Sequence, residues 1–236
     1  MQLTYADTSR GGRQVGATLH VASAADCRRG LVVYGHGFVL KPAHYRGLAD
    51  ALSRHGYAVA LPTTETGVHA DHGAFSRDLV FLARALREDR TLAPRLGPVT
   101  VLGGHSMGGG AALAALDAGA QVDGIFALAP APLRAPPPSG RTGSANAVLL
   151  LGAPQDCVTP HARVVPALLK GLSQPGRRVE SRVLAAGDHC GFTGGARLCR
   201  WAERTCLQGK PAADPRAQQD ATLDVLLPWL DALDSR

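Results

Sequence analysis

From Leu31 onward, short apolar runs alternate with stretches of helical spacing, and this rhythm leaves the chain few architectures. Residues 30–34 (GLVVY), 57–61 (YAVAL), 98–103 (PVTVLG), 123–128 (DGIFAL), 147–151 (AVLLL) and 179–185 (VESRVLA) have the length of strands. Runs as apolar as GLVVY suit strands buried on both faces. Between them, residues 43–55 place Tyr45, Leu48, Ala49 and Leu52 at helical spacing, and residues 74–88 put Phe75, Leu79, Leu82 and Leu86 on one face. Residues 107–118, 161–172 and 216–233 predict further helices, and the loose alternation over 14–22 predicts a strand before the series begins. The expected class is α/β: a mainly parallel sheet with helices on both faces and right-handed crossovers.

With 236 residues, 45% of them hydrophobic, the chain can bury one sizeable core, and residues 1–236 are expected to form a single domain. The Pro-, Gly- and Ser-rich stretch 130–145 then reads as a loop. The net charge of +6 is spread over Arg177, Arg178, Arg182, Arg197, Arg200, Arg204 and Lys210, without interleaved aromatics. That pattern suits a solvated basic surface and gives no reason to expect a nucleic-acid partner. No apolar run reaches the length of a membrane span, and Met1 to Gly12 lack the apolar core of a signal peptide, so a soluble chain is expected.

The most informative local pattern is Gly104-His105-Ser106-Met107-Gly108, a G-x-S-x-G motif between the run PVTVLG and a helix starting near Met107. A serine there occupies a tight strand-to-helix turn that exposes its hydroxyl, and the N–H of Met107 points to where an oxyanion would form. A serine hydroxyl needs a base. In this setting the acid and the base follow the serine in that order, on loops at strand ends. Of nine histidines, His161 and His189 follow Ser106. His189 follows VESRVLA through a Gly187-Asp188 turn, whereas His161 sits at a helix start, so His189 is the expected base. Asp156 follows AVLLL and is the expected acid, with Asp188 as rival. The loop Gly35-His36-Gly37-Phe38 should supply the second oxyanion donor, the N–H of Phe38.

YGHGF around residue 36, GHSMGGG at 104–110, LGAPQDCVTP ending at Pro160 and GDHCGF at 187–192 together resemble the α/β-hydrolase superfamily, nearest to its dienelactone-hydrolase-like, cutinase-like and polyester-hydrolase-like serine esterases. The resemblance implies the α/β-hydrolase fold and carboxylic ester hydrolysis, with no cofactor and no metal. Acyl transfer, thioester cleavage and an inactive binding scaffold are the alternatives. Two departures stand out. Dienelactone hydrolases proper use cysteine where this chain has Ser106. Polyester hydrolases usually carry a tryptophan after the strand matching GIFAL, where this chain reads Ala129-Pro130-Ala131.

The proline-rich 130–145 has no amphipathic period, so no large lid is expected. An open cleft for short or medium acyl esters should be lined by Gly37, Phe38 and Met107, with Thr63 to Thr66 as further candidates. His69, Asp71 and His72 are read as polar loop and not as a metal site. If the acid and base loops meet, Cys157–Cys190 and Cys199–Cys206 could form bridges, with Cys27 outside them. A secreted or periplasmic location would follow, and a cytoplasmic one if all five cysteines stay reduced. A small-molecule or polymeric ester is the expected partner, and a monomer is favoured.

Overall fold

The computed structural model describes residues 1–22, 27–132, 143–194, 196–208 and 213–234. Eight strands form one sheet: β1 (Gln2–Asp7), β2 (Arg13–His20), β3 (Gly30–Gly35), β4 (Tyr57–Pro62), β5 (Val99–His105), β6 (Gln121–Leu128), β7 (Ser144–Gly152) and β8 (Arg178–Val183). Their order is β1-β2-β4-β3-β5-β6-β7-β8. β2 runs antiparallel to β1 and β4, and all other pairs are parallel. The helices are α1 (Arg46–Arg54), α2 (His72–Glu88), α3 (Met107–Ala114), α4 (His161–Leu172), α5 (Arg197–Leu207) and α6 (Pro215–Asp234).

The strand period of two divides the core. Leu31 and Val33 of β3 join Phe75, Leu79, Leu82 and Leu86 of α2 on one face, while Val32 and Tyr34 join Leu48 and Leu52 of α1 and Trp229 and Leu230 of α6 on the other. Burying each such large side chain contributes about 1.5–3 kcal/mol before the entropy of ordering it. The central strands are apolar throughout because both faces are covered. The sheet brings the C-terminal ends of β3, β5 and β7 to one rim, where parallel sheets carry their sites.

Two elements are additional to the sequence reading. β1 pairs with Arg13–Thr18 of β2, with Leu3 and Tyr5 packed on the core. α5 occupies 197–207, where no helix was expected. Residues 133–142 of the 130–145 connection lie outside the described residues, as does Lys210, so the expectation of no large lid rests partly on residues not described. Among the described residues, no helix is long and apolar enough to cross a membrane.

Candidate active site

Ser106 joins β5 to α3 with φ 52° and ψ −117°. Positive φ in a non-glycine residue costs on the order of 1–3 kcal/mol and persists only where its surroundings enforce it. Here Ser106 N–H donates to the Leu128 carbonyl (3.0 Å), and its own carbonyl accepts from Gly110 (3.0 Å) and Ala131 (2.9 Å). Glycine makes the turn possible. A Cβ on Gly104 would overlap the backbone of Gly108, and one on Gly108 would overlap the Gly35 carbonyl. α3 thereby reaches β5 and the loop after β3 at backbone contact distance.

His189 follows β8, and its Nδ1 lies 2.9 Å from Asp156 Oδ2. Asp156 is buried. Burial pushes its carboxyl up, but the hydrogen bond from His189 and those from Thr159 outweigh this and hold it below the ordinary carboxylate value. Its Oδ1 accepts from the N–H groups of Val158 (2.9 Å) and Thr159 (2.7 Å). An ionised carboxylate can only accept, so Nδ1 of His189 carries the proton and Nε2 is the basic nitrogen.

A buried chain of hydrogen bonds links the loops. Gly37 N–H donates to Tyr45 Oη (2.8 Å), and Tyr45 lies 2.9 Å from His105 Nδ1. His105 Nε2 lies 3.1 Å from the His189 carbonyl. Burial, reinforced by neighbouring His189, holds His105 well below the usual histidine pKa, so it is neutral. Tyr45 therefore donates to Nδ1 and His105 donates through Nε2, which satisfies each member. Val39, next to Phe38, has φ 53°, an uncommon conformation for a β-branched residue.

α5 completes the site. Buried Glu203 accepts the N–H of His189 at 2.7 Å, and burial together with nearby Asp188 pushes its carboxyl above the ordinary value. Asp188, read from sequence as the rival acid, is fully buried, pairs with Arg200 at 2.5 Å and accepts the N–H of Gly191 at 2.8 Å. Ser106, His189, Gly37 and Phe38 line one cavity of about 440 Å³ with Val68, Val158, Leu198 and Trp201.

A wider depression of about 700 Å³ beside Met1 also holds a serine, a histidine and an aspartate: Ser53, His20 and Asp50. Ser53 lies within α1 and donates its hydroxyl back to the Ala49 carbonyl, so no turn presents it as a nucleophile.

The sequence matches the alpha/beta hydrolase family over residues 32–234. The chain belongs to the α/β-hydrolase family. Among solved structures, this hydrolase is similar to a ferulic acid esterase from Streptomyces cinnamoneus, with a TM-score of 0.74 and 20% identity over 98% of this chain and 88% of that one. It is also similar to the esterase domain of a Rhodothermus marinus protein, with a TM-score of 0.56 and 18% identity over 86% and 98% of the two chains. Esterase Est22 aligns with a TM-score of 0.67 and 12% identity over 98% and 80%. No curated protein sequence matches it.

Several sequence expectations are now placed. The side chain of Met107 packs in the core with α2 and is not among the residues lining the hydrolase cavity, although its backbone begins α3 at the rim. Thr64 is drawn away from the cavity, its hydroxyl donated to Asp78 at 2.6 Å, and the loop contributes Val68 instead. Asp71 caps α2 by accepting the N–H of Ala74.

The disulfide pairing needs correction. The bridges are Cys157–Cys206 and Cys190–Cys199, not Cys157–Cys190 and Cys199–Cys206. Cys199 and Cys206 both lie on α5, and seven residues of helix separate them by roughly 10 Å at 1.5 Å each, beyond the ~7 Å a bridge tolerates. Each therefore bonds to a different loop. Cys27 is buried outside both bridges, as expected. Tyr45, His105, Glu203 and Trp201 were not singled out as site residues. Tyr45 read as one position on an apolar helix face, and nothing local marks Glu203.

Proposed function

We propose that this α/β-hydrolase is a serine carboxylic ester hydrolase acting through an acyl-enzyme, with Ser106 as nucleophile, His189 as base and Asp156 as the acid that orients it. One observation carries the reading. A serine in a strained strand-to-helix turn and a histidine hydrogen-bonded to a buried carboxylate line a single cavity. The solved structures of the same fold described as esterases support an ester as substrate.

In this mechanism the Nε2 lone pair of His189 accepts the Ser106 proton as Oγ attacks the ester carbonyl. Ionised Asp156 steadies the resulting imidazolium. The tetrahedral oxyanion takes hydrogen bonds from the N–H groups of Met107 and Phe38, each worth about 3 kcal/mol of transition-state stabilisation. The N-terminal end of α3 adds a favourable dipole. His189 then protonates the leaving alcohol, and water, deprotonated by the same nitrogen, releases the acid. The apolar cavity, without a large described lid, suits short or medium acyl groups. The two disulfides support folding in an oxidising compartment.

Ser106→Ala should lower kcat/KM on a short-chain nitrophenyl ester by at least about 10⁴-fold while leaving the thermal unfolding curve in place. Activity retained in that variant, or labelling by a fluorophosphonate at another residue, would refute the assignment.

A further inference from the structure

Eight large apolar side chains stand exposed among the described residues, and five of them line the Ser106 cavity: Phe38, Val68, Val158, Leu198 and Trp201. They come from four separate segments: the loop after β3, the loop after β4, the loop after β7, and α5. Convergence of this kind marks a binding surface, since isolated exposed apolar residues scatter. Trp201 is 68% exposed and Phe38 46%. The chain has only two tryptophans, and the other, Trp229, is buried in the core. Trp201 stands on a helix otherwise rich in charge, including Arg197, Arg200, Glu203 and Arg204.

The cavity's electrostatics narrow the ligand further. Although the net charge is +6, no Lys, Arg, Asp or Glu is among the described residues lining it. No cationic side chain among those described residues pairs with a phosphate or a carboxylate, and moving either into an apolar cavity is costly without such a partner. A cavity of about 440 Å³ exceeds what an acetyl ester fills and lies within the range for a ring-bearing small molecule.

Building on the ester-hydrolase reading, we propose that α5 is the specificity wall of this enzyme and selects neutral esters carrying an aromatic ring, which packs against Trp201 and Leu198 of α5 and Phe38 of the loop after β3. Aromatic packing on two rigid side chains adds stabilisation beyond area burial, and an apolar wall built from α5 favours large neutral groups over small ones. Trp201 acts on binding and orientation of the substrate, while the reacting atoms lie at Ser106.

The test compares ethyl 3-phenylpropanoate with ethyl acetate by pH-stat on the intact, oxidised protein. Wild type should prefer the phenylpropanoate. Trp201→Ala should reduce the ratio of the two kcat/KM values about tenfold, mainly through KM, and Trp201→Phe should restore most of the ratio. Circular dichroism and thiol titration establish that the variants are folded and oxidised. Cleavage of acetate with rejection of phenylpropanoate by wild type overturns the proposal and leaves the esterase reading intact. Equal losses on both esters in Trp201→Ala, carried in kcat, would make α5 a structural support only and also overturn it. Failure of wild type on every ester, with Ser106→Ala indistinguishable, brings down both the proposal and the reading beneath it.

Discussion

The two sides of the Ser106 cavity are built on different principles. On the sheet side, the turn after β5 and the loop after β3 are held by backbone packed on backbone: Gly104 against Gly108, and Gly108 against Gly35. On the α5 side, the wall is attached to the loops beneath it by Cys157–Cys206, Cys190–Cys199, the Arg200–Asp188 pair and the Glu203 carboxylate. Backbone packing responds to no solution condition short of unfolding. Disulfides respond to reductant and carboxylates to pH. The geometry at Ser106 is therefore insulated, whereas the wall that shapes the cavity depends on attachments the environment can remove. Those attachments also grip the residues next to the hydrogen-bonded pair Asp156 and His189, since Cys157 follows the one and Cys190 the other.

The contrast can be tested first by removing the bridges. In the chain-entropy picture, a bridge across 49 residues stabilises by about 4 kcal/mol and one across 9 by about 2.6 kcal/mol. Cys157→Ser with Cys206→Ser should thus lower Tm more than Cys190→Ser with Cys199→Ser, as calorimetry would show. The reverse order would mean that the short bridge holds α5 and that native-state contacts outweigh chain entropy.

A smaller effect is expected on the sheet side from Tyr45→Phe. It strips the partner from Gly37 N–H and from His105 Nδ1, at a cost of about 1–3 kcal/mol of stability. Because the loop carrying Phe38 N–H is then less firmly held, kcat should fall on the order of 10-fold to 100-fold with little change in KM. A change confined to KM would show that the hydrogen-bond chain serves substrate binding instead.

The smallest expected effect distinguishes the two carboxylates by pH. The carboxyl of Asp156 is held low, so the stability it contributes is intact above the ordinary carboxylate range and lost as pH falls through its lowered value. Glu203 is pushed up, so its contribution is present at low pH and lost as pH rises through its raised value. Glu203→Gln should therefore flatten the decline of Tm above the ordinary glutamate range, by about 2–4 °C or less, and leave the acid limb alone. Superimposable Tm profiles for wild type and variant would contradict the raised carboxyl of Glu203.

The same contrast explains what the sequence disclosed. β3 to β7 and the turn at Ser106 were legible because their signals are local: apolar runs buried on both faces, glycines where backbones touch, and a serine between strand and helix. The places of Asp156 after β7 and of His189 in the loop after β8 were legible too, and the structure hydrogen-bonds the two side chains. α5 was not legible, because Arg197, Arg200, Glu203 and Arg204 disguise a helix whose Leu198 and Trp201 line a cavity rather than the core. Its hold on the fold comes from partners outside the helix, Cys157, Asp188 and Cys190. Missing that helix also produced the wrong disulfide pairing, since recognising it forbids a bridge between Cys199 and Cys206. β1 escaped notice because an edge strand with a polar outer face has a weak pattern, although Leu3 and Tyr5 alternate as a half-buried strand should.

The central claim is that the Ser106 oxygen carries the acyl group between the two halves of the reaction. Acid quenching of the protein during turnover of a nitrophenyl ester, followed by mass analysis of its peptides, tests this directly. The account predicts one acyl group on the peptide containing Ser106, absent from Ser106→Ala. Steady turnover with no adduct under any quench, or with the acyl group on another residue, would contradict it.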